Sequence, residues 1–282
     1  MSSSRSFAVL HARRRPAGAA VLLAAVGLVM VSLSSAESAA QGSRSGKPTV
    51  VLVHGAWADA SSWSDVIERL QEEGYTVRAV ANPLRSLSGD AAYVRAILDT
   101  LTGPIILVGH SYGGAVISNA ATGSPNVKAL VYVDAFAPDT GESATALAGP
   151  DSALSVDPTT IFDFVPATLP PTADTDIYLK ESTVLASFAN GLSSDDKAVV
   201  TASQRPATVG ALNEPSGTPA WRTIPSWYLL GTEDKIIPPS VQRFMAERAG
   251  STITEFDEGH VGLMTDPKTV IRVIESAAKS IR

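Results

Sequence analysis

Cysteine is absent from the sequence, which excludes disulfides, thiolate nucleophiles, thiolate metal sites and a lipidated N-terminal cysteine. Aromatic residues make up only 6% of the 282 positions, and the formal net charge is −6. No stripe of Lys and Arg interleaved with aromatics runs along the chain, so the electrostatic footprint of a nucleic-acid binder is missing. No internal repeat is present, which removes solenoids and arrays. A phosphate loop is lacking too. Gly42-Ser43-Arg44-Ser45-Gly46-Lys47 is one residue short, is followed by Pro48 where Ser or Thr belongs, and precedes a strand pattern instead of following one. A chain of this length fits one α/β core carrying an insertion.

What is present begins with an export pattern. Arg5, Arg13, Arg14 and Arg15 form a basic start, 17–33 is an apolar run, and 34–40 is small and polar, as in a secretory signal peptide over 1–40. Cleavage after Ala36 or Ala40 fits. An uncleaved anchor is the competing reading, because the run is close to the shortest that spans a bilayer. The arginine cluster matches the twin-arginine route only weakly. The expectation is a secreted or periplasmic domain over 41–282, opening on a linker at 41–48, with no stable membrane association once the signal is removed.

From 49 onward strand and helix patterns alternate. Short apolar runs at 49–53, 76–80, 104–108, 127–133, 226–230 and 252–256 read as strands, and helical spacing recurs at 61–73, 88–101, 241–249 and 267–281. That rhythm predicts an α/β fold with a mostly parallel sheet of about six strands and helices on both faces. The rhythm breaks at about 137–222, where Pro138, Pro150, Pro158, Pro166, Pro170, Pro171, Pro206, Pro215 and Pro219 punctuate a stretch rich in Thr, Ser and Ala. So long an insertion is expected to form a small helical lid, with helices near 174–189 and 194–203.

The chemistry-bearing stretch is Gly109-His110-Ser111-Tyr112-Gly113, set between the apolar run at 104–108 and the small-residue run at 114–121. A Gly-x-Ser-x-Gly at a strand-to-helix junction holds its serine in a strained turn, with glycines where strand and helix crowd. Ser111 is therefore the candidate nucleophile. Such a serine needs a base, a group that orients the base, and donors for an oxyanion. Of the four histidines, His11 lies in the export segment, His110 sits inside the turn, and His54 ends the first strand, where its ring is expected to brace the loop. His260, in Asp257-Glu258-Gly259-His260-Val261 directly after the last strand, can reach over the carboxyl edge of the sheet. The orienting carboxylate should lie between serine and histidine in the chain. Asp234, after the penultimate strand, fits best; Asp134, after the strand preceding the lid, is its rival, and Glu233 is an adjacent carboxylate. Oxyanion donors are expected from the backbone N–H of Tyr112, at a helix N-terminus, and of Ala56 in the loop after the first strand, with Trp57 as the alternative. Phe162, Phe164, Tyr178 and Phe188 in the lid suggest an apolar pocket.

Four motifs carry a family resemblance: Val53-His54-Gly55-Ala56-Trp57, Val108-Gly109-His110-Ser111-Tyr112-Gly113-Gly114, Asp134-Ala135-Phe136-Ala137-Pro138-Asp139, and Gly231-Thr232-Glu233-Asp234-Lys235-Ile236-Ile237-Pro238 with Gln242-Arg243. Together they resemble the α/β-hydrolase superfamily, and within it the branch of plant methyl-ester esterases and hydroxynitrile lyases with their bacterial relatives. The resemblance spans residue 50 to the C-terminus. It implies a Ser111, Asp234, His260 triad, an oxyanion hole from Ala56 and Tyr112, a lid between the sixth and seventh strands of the family fold, no metal or organic cofactor, and a small-molecule ester as substrate. Two departures stand out: the chain has no room for the first two strands of the fold, and it carries an export signal that the plant enzymes lack. The lyases of this branch place a lysine after the catalytic histidine and a threonine after the first-strand histidine. Val261 and Gly55 stand there instead, which favours ester hydrolysis over hydroxynitrile lyase, lactonase or cofactor-free perhydrolase activity; a secreted binding protein on the same scaffold is the non-enzyme alternative.

Overall fold

The computed structural model describes residues 46–281. The expected signal peptide and the first part of the linker lie outside the described residues. The core strands are β1 (Thr49–Val53), β2 (Val77–Val80), β3 (Ile105–His110) and β4 (Val127–Val133), then, after the insertion, β8 (Ser226–Gly231) and β9 (Thr252–Phe256). They form one six-stranded sheet in the order β2-β1-β3-β4-β8-β9, and every neighbouring pair is parallel. Continuous apolar runs such as Val50-Val51-Leu52-Val53 and Ile105-Ile106-Leu107-Val108 suit strands covered on both faces, and all eight side chains are fully buried. The edge strands β2 and β9 are partly exposed and correspondingly more polar.

Connecting helices α1 (Ser64–Glu72) and α2 (Leu87–Leu98) follow β1 and β2, and α3 (Tyr112–Ala120) follows β3. Later come α4 (Ser194–Ala202) in the insertion, α5 (Pro239–Arg248) and α6 (Pro267–Ser280). Helix α6 packs on α1 and on the central strands, and α2 packs on α3, so apolar helix faces cover the sheet. Local sequence sets the boundaries. Ser86 accepts a hydrogen bond from the Gly89 N–H to start α2, and Asp266 does the same for Thr269 while Pro267 occupies the first turn of α6. The strand order reverses at β1: the chain leaves β1 for β2 on one side and returns to β3 on the other. The carboxyl ends of β1 and β3 therefore flank the crevice where an open parallel sheet accepts ligands.

The insertion departs from the helical expectation. Its framework is a three-stranded antiparallel sheet of β5 (Phe162–Val165), β6 (Asp176–Leu179) and β7 (Ala207–Thr208). The helix expected near 174–189 is instead strand β6, then a helical turn at Glu181–Thr183 that runs into a π-helical turn at Val184–Phe188. Asp176-Ile177-Tyr178-Leu179 alternates half-buried and buried positions, a period of two that overrides the local helical spacing once β5 supplies a partner. The expected helix at 194–203 forms as α4, capped by Ser193. The sheet is tied to the core through Thr208, whose N–H donates to Leu84 O at 3.0 Å and whose hydroxyl donates to Arg85 O at 2.7 Å. The Arg85 guanidinium in turn pairs with Asp176.

Candidate active site

Ser111 sits between β3 and α3 with φ 52° and ψ −126°, a left-handed backbone that costs a non-glycine residue on the order of 1–3 kcal/mol. Such a conformation persists only where neighbours enforce it. A Cβ on Gly113 would lie 2.4 Å from Val53 O, and one on Gly55 would lie 2.6 Å from Ser111 Cβ. The turn thus presses against the end of β1, and glycine at both positions is what permits the approach.

The structure brings Ser111, His260 and Asp234 into one hydrogen-bonded line. His260 Nε2 is 2.9 Å from Ser111 Oγ, and His260 Nδ1 is 2.8 Å from Asp234 Oδ2. The His260 side chain and the Asp234 side chain are both fully buried. Asp234 Oδ1 accepts from the N–H groups of Ile236 at 2.7 Å and Ile237 at 2.9 Å, and Oδ2 accepts from Gln242 Nε2 at 2.9 Å. Four donors converge on this carboxylate and occupy both of its oxygens. A negative Asp234 holds the proton on His260 Nδ1 and leaves Nε2 as the acceptor for the serine hydroxyl. The rival Asp134 does not reach His260. It accepts from the Gly231 N–H at 2.7 Å, and burial, reinforced by the nearby Asp234 charge, pushes its carboxyl well above the ordinary range. Among the described residues Glu233 is bound only through its backbone, whose N–H donates to Glu258 O and whose carbonyl accepts from Asn190 Nδ2.

Ala56 and Tyr112 line the same cavity as Ser111, and among the described residues neither backbone N–H has a hydrogen-bond partner. The Trp57 N–H is likewise unpaired. Gly55, which precedes Ala56, packs so close to the serine that a Cβ there would collide with Ser111. The Tyr112 phenol is anchored away from the serine, donating to Asp90 Oδ2 at 2.9 Å. Trp57, also with positive φ at 60°, donates its indole N–H to Ile177 O at 3.0 Å and stacks on Phe162 with centroids 5.6 Å apart.

Two further histidines support the site. His54 accepts from the Asn82 N–H at Nε2, 3.0 Å, and donates from Nδ1 to Gly55 O, 2.9 Å, so it braces the loop as expected and is neutral. Burial lowers its pKa from 6.5 to about 4. His110 donates from Nε2 to His260 O at 2.8 Å, with ring centroids 5.0 Å apart, and burial drives its pKa well below the ordinary value. Its position inside the turn hid this role in the sequence, because the contact crosses from β3 to the loop after β9. Gln242 and Phe188 stood out in the sequence as a motif residue and a lid aromatic, but their contacts with the site, Gln242 with Asp234 and the Phe188 ring 5.3 Å from that of His260, were hidden there.

These buried neutral imidazoles predict acid lability. The unfolded chain binds a proton at His54 near pH 6.5 while the folded one does so only at about pH 4, so stability falls as pH drops through that window. The loss is about 3 kcal/mol for His54 alone. Urea midpoints measured from pH 7 to pH 4 should decline steeply, and His54→Gln should flatten the decline; an unchanged midpoint across this range contradicts the assignment.

The cavity over Ser111 has a volume of about 360 Å³. Trp57, Phe136, Phe162, Phe164, Ile177 and Leu212 give it an apolar wall, and none of its lining residues is charged. Phe162 and Phe164 thus line the pocket as the sequence suggested; Tyr178 and Phe188 do not. Among the described residues no group of three or more His, Asp or Glu side chains is placed to hold a metal ion.

The sequence profile of the alpha/beta hydrolase family matches residues 50–273. The chain belongs to that family. An alpha/beta hydrolase of Aspergillus novofumigatus is 28% identical over 253 residues, covering 82% of this chain and 97% of the relative. The carbendazim-hydrolyzing esterase of a Nocardioides species is 36% identical over 110 residues, 34% of this chain and 46% of the relative. Among solved structures, an extracellular alpha/beta-hydrolase from a Paenibacillus species superposes with a TM-score of 0.68 at 25% identity, over 82% of this chain and 98% of the neighbour; it is described as sharing structural and functional homology with tobacco salicylic acid binding protein 2. The resemblance to the α/β-hydrolase superfamily therefore holds, and the relatives that the chain resembles include proteins named as esterases.

Proposed function

We propose that this hydrolase cleaves uncharged carboxylic esters through an acyl-enzyme on Ser111. His260 Nε2 takes the serine proton as Oγ attacks the ester carbonyl. The imidazolium, stabilised by Asp234, then protonates the departing alcohol. The Ala56 and Tyr112 N–H groups receive the negative charge that develops on the carbonyl oxygen. Water, deprotonated by the same histidine, releases the acid and regenerates the serine. The observation that carries this reading is the continuous Ser111, His260, Asp234 hydrogen-bonded line at the floor of an apolar cavity without a charged wall. That wall favours alkyl or aryl esters over substrates bearing a free carboxylate or ammonium.

Cyanohydrin cleavage is disfavoured by the same geometry. A threonine at Gly55 would place its Cβ 2.6 Å from Ser111 Cβ, and Val261, beside His260, is buried and carries no cation. The chain is read as exported, on the basic, apolar and small-residue order of residues 1–40.

The test is a panel of aryl and alkyl esters, lactones and cyanohydrins given to the purified protein, with rapid mixing on the best aryl ester. Ester turnover with an initial burst of about one phenol per enzyme is expected. Turnover confined to cyanohydrins or lactones, or none despite stoichiometric ligand binding, overturns the ester reading in favour of the lyase, lactonase or binding-protein alternative.

A further inference from the structure

The loop after β4 holds a carboxyl group that the chemistry above does not use. Asp134 is fully buried at a left-handed φ of 45°. Its Oδ1 accepts from the Gly231 N–H, yet its Oδ2 has no hydrogen-bond partner. Gln242 is buried too. Its Nε2 donates both to Asp234 Oδ2 and to Ile237 O, each at 2.9 Å. Those two acceptors fix the amide orientation, because a flipped amide would turn its oxygen toward a carboxylate and a carbonyl. The amide oxygen, Oε1, is left buried without a donor, and Gln242 is among the side chains that interact with the Asp134 carboxyl.

Two buried acceptors with no donor between them form an imbalance that one proton resolves. We infer that Asp134 is a neutral carboxylic acid whose Oδ2–H donates to Gln242 Oε1, so that Gln242 is clamped from behind while it holds Asp234 against His260. The inventory of donors supports this division of charge. Asp234 receives four hydrogen bonds and Asp134 receives one. Two adjacent carboxylates in a dry site do not both ionise. The other titratable groups facing Asp134 work in the same direction: Asp234 after β8 and Glu258 after β9 are negative, and Tyr228 of β8 donates its hydroxyl to Ala135 O. Among the described residues no cation is paired with Asp134.

Asp134 is thus a positioning residue, acting through Gln242 and Asp234 on the imidazole. The inference rests on Asp234 as the orienting acid, and it is tested by one measurement independent of ester turnover. Infrared spectra of the wild-type protein minus those of Asp134→Asn at neutral pH should contain the carbonyl stretch of a protonated carboxylic acid. Asparagine also reproduces the neutral acid, because its Nδ2–H donates to Gln242 Oε1 and its oxygen accepts from Gly231. The acid limb of kcat/KM should then fall at the same pH in Asp134→Asn as in wild type, whereas Asp134→Ala should lower kcat about tenfold by leaving Gln242 Oε1 unpaired. An ionised Asp134 would give the opposite pattern. The carbonyl band would be absent, and removing a negative charge near His260 would move the acid limb to lower pH by about one unit or more. Either result overturns the inference, and the infrared result stands even if Asp134→Ala fails to fold. A protein that carries the band but turns over no ester would leave this inference standing and overturn the esterase reading alone.

Discussion

Ser111→Ala is expected to lower ester turnover by about 10⁶-fold, the scale of loss when the nucleophile of a serine hydrolase is removed. Alanine suffers the same positive-φ penalty as serine at φ 52°, so the turn keeps its conformation. The change removes one hydroxyl and its 2.9 Å contact with His260 Nε2. Circular dichroism and the thermal midpoint should therefore match wild type, and substrate should still bind in the unchanged cavity. A fluorophosphonate should label wild type at Ser111, read by mass spectrometry of the intact protein, and leave the alanine variant unmodified. Wild-type turnover in a preparation free of host esterases would show that another group attacks the ester.

The second large effect is at the acid. Asp234→Asn should cost about 10⁴ in turnover, as removal of the corresponding charge does in the serine-protease case. The local geometry explains why an amide cannot substitute. Both backbone donors, from Ile236 and Ile237, meet Oδ1, so the amide oxygen of asparagine must occupy that side. Its NH₂ then faces Gln242 Nε2 and His260 Nδ1, which are themselves donors when Asp234 is present. Imidazole can answer only by moving its proton to Nε2, where it no longer accepts from Ser111. The facing donors should also lower stability by about 1–3 kcal/mol, so turnover is to be measured on protein shown folded by thermal melting. Near-wild-type activity in Asp234→Asn together with a crippled Asp134→Asn would mean that the orienting charge comes from the end of β4.

Much of this site was legible in the linear sequence, and the physical reason is parallel-sheet topology. A strand buried on both faces needs an unbroken apolar run, so β1, β3, β4 and β8 stand out, and the residues that follow them must gather along one edge. That places Ser111 and His260 within reach of each other although they are 149 positions apart. Asp234 was the better fit in the sequence, but Asp134 stayed its rival because both follow sheet strands. The choice is decided by which carboxylate meets His260 Nδ1, a contact across elements. The insertion was read least well. Phe162–Val165 and Asp176–Leu179 are short, partly exposed and mutually dependent, and β7 has only two residues. Such strands exist because of partners distant in the chain, whereas proline spacing and local periodicity describe only neighbours.

The indole of Trp57 has a wider consequence. Its backbone belongs to the loop that lines the cavity beside Ser111, while its ring is bonded to the backbone of β6 and stacked on β5. One side chain therefore couples the wall of the cavity to the loop that carries Ala56, the proposed oxyanion donor. Exchanging insertion residues to admit a bulkier ester would move Ile177 or Phe162, and through Trp57 would disturb the rate of bond cleavage along with affinity. Adaptation to new substrates in this protein is thus constrained to residues of the cavity wall that do not touch that indole.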